Sequence, residues 1–197
     1  MSGPDPDRRP RNPDPFIALS DEAAQQRAVR ARAEERSRRE IAAAVATWVG
    51  TLRDLAEAGR VVTVLTGSGR AHRGVLVAVG VDHVAVGNES EGTALLRLDT
   101  LRAVRPEPVP DMPPAMGDRS WSQDRELPVW IERFLELELR VGLVLDGAAE
   151  ALQGQLVALG EDVLTLRLDG RDRGLVYVNV AAVSEVLVAT PPRELGA

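Results

Sequence analysis

Few side chains in this chain can bind a metal ion or act as a nucleophile. The chain contains two histidines, His72 and His83, and no cysteine. Both histidines lie in a segment whose pattern predicts two antiparallel strands joined by a tight turn at Val81. His83 then lies beside the turn and His72 lies several residues along the partner strand, so the two rings are too far apart to share a metal ion. Because a zinc site needs further ligands of this kind, we expect no metal site and no cofactor.

Two aspartates, Asp82 and Asp162, occupy matching places in two similar segments of the chain. Paired carboxylates can carry out acid–base catalysis, but these two lie in separate predicted units. An aspartate beside a tight turn commonly accepts hydrogen bonds from nearby backbone amides. We therefore expect both aspartates to stabilise turns.

The sequence contains no motif that assembles a catalytic or phosphate-binding site. The stretch Gly67-Ser68-Gly69 connects two predicted strands, whereas a phosphate-binding loop opens onto a helix. The dinucleotide-binding, serine-hydrolase and zinc-protease motifs are absent from the sequence. We expect that the protein is not an enzyme, and an enzyme with a site between two barrels is the least favoured alternative.

All 24 basic residues are arginine. Arginine codons are GC-rich, so this choice indicates genome composition before it indicates nucleic-acid binding. The densest cluster consists of Arg27, Arg30, Arg32, Arg36, Arg38 and Arg39. No aromatic residue is interleaved with these arginines, as single-stranded nucleic-acid binding would favour, and Glu34, Glu35 and Glu40 dilute their charge. The pattern therefore favours a solvated helix.

This cluster belongs to a long predicted helix that begins after Ser20, a suitable N-cap, and ends at Ala58 before Gly59. Apolar residues recur at steps of four and three in its second half. They are Ile41, Val45, Trp48, Leu52 and Leu55. Because this spacing places them on one stripe, we expect them to pack on the barrel that follows.

After Gly59 the apolar period changes to that of short strands, and five strands are predicted before Pro106. The segment GVLVAVGVDHVAV at 74–86 recurs as GQLVALGEDVLTL at 154–166. A short helix that contains Trp130 and Phe134 precedes five further strands. We expect Trp48 and Trp130 to occupy equivalent places, and Trp130 and Phe134 to pack on the second barrel.

The predicted fold is mainly β with α, built as two tandem five-stranded small barrels, each preceded by a helix, of which the first is long. The predicted boundaries are a disordered tail at 1–19, a helix and barrel at 20–106, a proline-rich linker at 107–126, a helix and barrel at 127–189, and a disordered tail at 190–197. Several strands are apolar at both odd and even positions, so both of their faces need cover. We therefore expect the two barrels to pack together.

The pattern VTVLTGSGRAHRGVLVAVGVDHVAV, with a later LRAV in the first unit and VSEV in the second, resembles the Sm-like (LSm) small-barrel superfamily. The resemblance covers about 41–105 and 127–188, and it implies the small-barrel fold. It also implies a candidate RNA-contact set, because Asp82 and His83 lie in the loop that Sm proteins use. The nearby cations of this set are Arg70, Arg73 and Arg97.

The sequence departs from the RNA-binding pattern of that superfamily. Val84 stands where a polar residue would be needed, and neither unit has an Arg-Gly pair after its fourth strand. Residues 1–105 carry 16 arginines and 14 acidic residues, whereas residues 106–197 carry 8 arginines and 16 acidic residues. An acidic half disfavours contact with a phosphate backbone.

We therefore expect a non-enzymatic binding or assembly protein that acts through a protein partner or self-association. The alternative is an RNA-binding or ribosome-associated protein that uses the first barrel and the arginine-bearing helix. The chain has no apolar run long enough to span a bilayer, and a cysteine-free sequence fits a reducing compartment. We expect a cytoplasmic protein without membrane contact.

Overall fold

The computed structural model describes residues 15–88, 90, 92–108, 126–148, 150–170 and 174–189. The predicted tail at 190–197, most of the predicted tail at 1–19 and most of the predicted linker lie outside the described residues. The chain divides into two compact units, residues 1–44 and residues 45–197. Each unit is described by itself.

The long N-terminal helix α1 spans Pro15–Val45. It begins before Ser20, so the predicted N-cap is wrong. Its first residue, Pro15, is well suited to a first helical turn, because a proline has no N–H to leave unpaired. Every described side chain of α1 is exposed. This is the behaviour expected of a helix that is polar nearly all round.

The predicted single helix to Ala58 is wrong, because the helix ends at Val45 and a second one, α2, spans Trp48–Glu57. The hydroxyl of Thr47 accepts a hydrogen bond from the backbone N–H of Gly50 at 3.0 Å, which makes Thr47 the N-cap of α2. The interruption splits the predicted stripe. Leu52 and Leu55 of α2 are buried, whereas Ile41 and Val45 are largely exposed. The predicted packing of Ile41 and Val45 on the strands stays a prediction.

Ten strands and a third helix follow. The first strand set consists of β1 (Val61–Thr66), β2 (Ala71–Val79), β3 (His83–Asn88), β4 (Gly92–Arg97) and β5 (Leu101–Pro106). Helix α3 spans Leu127–Glu136. The second strand set consists of β6 (Arg140–Leu145), β7 (Ala151–Leu159), β8 (Val163–Leu168), β9 (Leu175–Asn179) and β10 (Val183–Val188).

All ten strands belong to one open antiparallel sheet in the order β5-β1-β2-β3-β4-β10-β6-β7-β8-β9. The predicted pair of separate barrels is therefore wrong, although the mainly β class with helices is confirmed. A five-stranded barrel closes by pairing its two edge strands, β4 and β5 in the first set. Here β4 pairs instead with β10, and Val186 lies opposite Leu95 in that ladder.

The two strand sets have the same internal pairing. Strands β2 and β3 shift register between Leu76 and Ala78, and β7 and β8 shift between Leu156 and Ala158. A second shift occurs in the ladder of β1 with β5 and recurs in that of β6 with β10. The ladders therefore assign the paired strand positions of one set counterparts in the other.

This correspondence extends to the helices and corrects one prediction. Trp48 begins α2 thirteen residues before Val61, the first residue of β1, and Leu127 begins α3 thirteen residues before Arg140, the first residue of β6. The counterpart of Trp48 is therefore Leu127, and Trp48 and Trp130 are not equivalent.

Each strand set encloses its own apolar core. The first contains Leu52, Leu55, Val62, Val64, Leu76 and Leu96, among others. The second contains Leu127, Ile131, Leu143, Leu164 and Leu166, together with Ala85 and Leu95 from the first set. Trp130 and Phe134 pack against this second core. Because two residues of the first set lie in the second core, the two sets share buried surface.

In the described part of the chain, no helix combines the length and the apolar character needed to cross a bilayer.

Two glycines at counterpart positions allow a close approach of neighbouring strands. A Cβ atom at Gly74 would overlap the carbonyl oxygen of Gly87, and one at Gly154 would overlap that of Arg167. These oxygens belong to backbone in the adjacent ladder and cannot move aside without disturbing it.

We expect Gly154→Ala to lower the free energy of unfolding by about 1–3 kcal/mol or more, because the added methyl group overpacks the ladder. Urea denaturation measures this change. The neighbouring exposed position provides the control, and Gln153→Ala should change the free energy by less than about 0.5 kcal/mol. Equal and small effects of the two substitutions would contradict the close approach.

Candidate functional site

A buried carboxylate joins the two strand sets. Glu185 lies on β10, its side chain is fully buried, and in the ladders it lies opposite Leu96 of β4 and Val144 of β6. Its side chain reaches the hairpin between β1 and β2. A charge removed from water in this way must be satisfied by hydrogen bonds or ion pairs, and the hairpin supplies both.

Four side chains of the first set form a cradle around this carboxylate. The hydroxyls of Thr66 and Ser68 donate to Oε1 of Glu185 at 2.6 and 2.7 Å. Nε2 of His72 lies 2.9 Å from Oε2. Nε of Arg70 lies 3.1 Å from the same oxygen, as an ion pair whose geometry is not that of a hydrogen bond. We call these five residues the carboxylate cradle.

The turn between β1 and β2 places the cradle. It contains Gly67, Ser68 and Gly69, and the prediction that this stretch connects two strands is confirmed. Gly69 has a φ of +82°, a conformation that favours glycine. The N–H of Thr66 donates to the carbonyl of Arg70 at 3.0 Å, which closes the turn. The tight turn brings Thr66, Ser68 and Arg70 to one end of the hairpin.

The cradle keeps Glu185 ionised. Burial raises the pKa of Glu185, but the hydrogen bonds from His72, Thr66 and Ser68, together with the charge of His72, outweigh burial and lower the pKa to about 2. A carboxylate with so low a pKa is a poor general base near neutral pH, since proton transfer is most efficient when the pKa lies near the working pH.

Serine, histidine and glutamate are also the residue types of a hydrolase triad, but their arrangement here is different. In a triad the histidine takes the proton of the serine hydroxyl and the carboxylate orients the histidine. In the cradle, Ser68 and His72 both bind Glu185, so the Ser68 hydroxyl proton is directed at the carboxylate. The arrangement is suited to joining the two strand sets.

A second polar contact joins the sets at the turn between β2 and β3. Oδ1 of Asp82 accepts a hydrogen bond from the backbone N–H of Leu127 at 2.9 Å and lies 2.9 Å from Nδ1 of His83. The buried His83 ring contacts Trp130 edge-on, with 6.4 Å between the ring centroids. The carboxylate that was expected to stabilise its own turn therefore binds the first N–H of α3.

The five candidate RNA-contact residues separate into two groups. Asp82 and His83 take part in the contact with α3, and Arg97 lies opposite His83 in the ladder of β3 with β4. Arg70 and Arg73 lie at the other end of β2. The described contacts therefore do not bring the candidate set together on one surface.

Arg70 and Arg73 line a cleft of about 220 Å³ together with His72, Asn88 and Thr93. Both arginines already lie beside carboxylates, because Arg70 approaches Glu185 and Arg73 donates to Glu107 at 2.8 Å. The cleft thus offers little uncompensated positive charge.

Across the residues that the structure describes, no cluster of three or more histidine, cysteine, aspartate or glutamate side chains could hold a metal ion.

Comparison with known proteins does not identify the chain. No protein-family model matches it, and no curated protein matches it significantly. The ladder of β4 with β10, the carboxylate cradle and the contact of Asp82 with Leu127 together form the joint between the two strand sets.

Three members of the cradle, Thr66, Ser68 and Glu185, are not among the predicted site residues. Glu185 carries the signal that could have found it, because it is a charged residue within VSEVLV, a strand that is otherwise almost entirely apolar. A charge in such a strand is expected to have a buried partner.

The lowered pKa of Glu185 predicts an acid-dependent loss of stability. A carboxyl group whose pKa falls from 4.5 in the unfolded chain to about 2 in the fold stabilises the fold above pH 4.5 and loses that contribution as the pH falls towards 2. Near neutral pH we expect Glu185→Gln to lower the free energy of unfolding by about 1.5–3 kcal/mol, the usual range for a hydrogen bond to a charged group.

Urea denaturation of both proteins between pH 7 and pH 2 measures this effect. The difference between wild type and Glu185→Gln should shrink as the pH falls from 4.5 towards 2. Glu132→Gln on the exposed face of α3 is the control and should follow the wild type. A difference that stays constant over this pH range would show that the ionised form of Glu185 is not what the cradle stabilises.

Proposed function

We propose that the protein is a non-enzymatic cytoplasmic assembly protein, which acts through protein–protein association along the edges of its sheet. The observation that carries this proposal is the open sheet itself. Among the described strands, β5 and β9 each have only one neighbour. An edge strand presents unpaired N–H and C=O groups that can pair with another chain.

The chemistry of the joint supports a non-enzymatic role. The residues with acid–base capacity are already engaged with one another, His72 with Glu185 and His83 with Asp82. The pKa of Glu185, at about 2, is far from the value that a general base near neutral pH needs. The cleft beside the cradle is lined by arginines that face carboxylates.

We further propose that the chain is an internal duplication of a unit of the Sm-like kind. Each set has a preceding helix of ten residues, the same order of pairing and the same two register shifts. These shared irregularities support the proposal more strongly than the strand count, because a register shift at the same place is a specific feature.

RNA binding through the first set is the second candidate function, and the resemblance to Sm-like proteins is what favours it. Three contacts weigh against it. Asp82 binds α3, His83 is buried against Trp130, and Arg73 pairs with Glu107. The acidic second half of the chain would also repel a phosphate backbone.

Size analysis of the complex in native lysate, with and without nuclease, separates these two functions. We expect a complex larger than one chain that survives nuclease treatment and raised salt, because edge pairing and apolar contacts do not depend on phosphates. Collapse of the complex to a single chain after nuclease treatment would favour the RNA function. A lysate in which only single chains are found would contradict assembly.

The purified protein supplies the matching test. We expect no submicromolar affinity for single-stranded RNA at physiological salt in a filter-binding titration. Submicromolar binding that is abolished by substituting Arg73 and His83, while substitution of the distant Arg133 leaves it unchanged, would establish the RNA function instead.

A further inference from the structure

Helix α1 is the only element that the structure describes in its own compact unit, residues 1–44. A helix by itself is only marginally stable in water, because most of the stability of helices in proteins comes from packing against another element. Helix α1 therefore gains stability from a partner. Its charged and apolar residues indicate which partner fits.

One line along α1 carries two opposite charges between two apolar residues. The line consists of Ala31, Glu34, Arg38 and Ile41, which follow one another at steps of three, four and three. Residues at these steps lie on one face of a helix, and this is the spacing at which two helices contact each other in a coiled coil. We call these four residues the α1 line.

The α1 line is complementary to itself when it is reversed. Positions 31 and 41 lie at equal distances along the helix on either side of Arg36, and so do positions 34 and 38. In an antiparallel pair of α1 helices that cross at Arg36, Glu34 of one copy faces Arg38 of the second copy. Ala31 faces Ile41 of the second copy in the same way, so a small side chain meets a large one. Each contact occurs twice.

The charges of the line select the direction of the partner helix. A parallel pair would place Glu34 against Glu34 and Arg38 against Arg38, and like charges that meet in a contact disfavour it. An antiparallel pair places opposite charges together at both positions.

The charges also favour a second copy over an anionic partner. The α1 line carries one acidic and one basic side chain, so it has no net charge, and Glu34 would repel a phosphate backbone. Arg32 and Arg36 do not continue the steps of three and four, and they fall on the other side of the helix. The arginines of the dense cluster that would attract an anion therefore lie away from this line.

We infer that α1 is a self-association surface, on which two copies of the chain pair through antiparallel α1 helices with Glu34 of each copy opposite Arg38 of the other. The contact uses the same surface on both copies, so it closes on two chains. It uses neither edge of the sheet. The inference therefore goes beyond the proposed association and does not depend on it.

Charge reversal tests the pairing by complementation between two purified, nuclease-treated full-length proteins. Glu34→Arg places two arginines opposite each other, and Arg38→Glu places two glutamates opposite each other. We expect each protein alone to need at least about tenfold higher concentration than the wild type for dimer formation in sedimentation equilibrium, because like charges then meet twice. An equimolar mixture should recover dimer formation to within about threefold of the wild type, since every mixed contact joins opposite charges.

Two substitutions away from the line are the matched controls. Glu40→Arg and Arg36→Glu make the same changes of net charge, and both proteins should form dimers like the wild type. Recovery in the mixture has a specific meaning, because a change in the helix of one copy cannot be repaired by the substitution in the other.

Disulfide formation between two copies tests the direction of the helices. The native chain has no cysteine, so an Ala31→Cys protein and a differently tagged Ile41→Cys protein can be mixed and oxidised. We expect a cross-linked pair that contains one of each. Ala31→Cys alone should not cross-link, because the two cysteines would lie about 15 Å apart along the helix axis, whereas a disulfide needs Cα atoms within about 7 Å.

The outcomes distinguish this inference from the proposed function. A mixture that forms dimers no better than its components, or the absence of the mixed cross-link, would overturn the helix pairing. Stronger association of Glu34→Arg would also overturn it, because that result would indicate an anionic partner. A fall in the free energy of unfolding of both proteins without any change in dimer formation would show that the line packs on its own chain.

The lysate experiment described above completes the distinction. A nuclease-resistant complex that persists in Glu34→Arg leaves the proposed association through the sheet edges standing, even where the mixed cross-link is absent. A mixed cross-link in purified protein supports the helix pairing, even where the lysate contains no larger complex than two chains.

Discussion

Glu185 holds a buried carboxylate on β10, the strand through which the two sets pair. It sits on the strand that pairs with both sets, and its burial is tolerated because Thr66, Ser68, Arg70 and His72 surround it. A carboxylate without this cradle would not be stable at such a position. The cradle therefore fixes β10 against the first set, and that placement makes two strand sets into one sheet.

A sheet joined in this way has two different ends. The join uses β4 and β10, and it leaves β5 and β9 as the edges. In a closed barrel these edges would be absent, and the chain would have no backbone groups to offer a partner. The two open edges thus follow from the pairing of β4 with β10, and they are the feature on which the proposed association rests.

The strand pattern could be predicted from the sequence, because alternating and continuous apolar runs reflect local burial. The joint could not, because pairing between β4 and β10 depends on contacts between residues about ninety positions apart. The same limit applies to the site. Asp82 and His83 were recognised as special, but their partners Leu127 and Trp130 lie on a helix whose placement the local pattern does not contain. The break before Trp48 was missed because the apolar period of the helix continues across it, although Thr47 is a weak helix former and a suitable N-cap.

Hydrogen–deuterium exchange of the backbone amides in dilute protein tests whether β4 and β10 pair inside one chain. We expect the amides of β4 and β10 to be protected, since their ladder joins the two strand sets. Amides of β9, which has one neighbour among the described strands, should exchange more rapidly. Exchange in β4 and β10 as rapid as in β9 would contradict the internal pairing of the two sets.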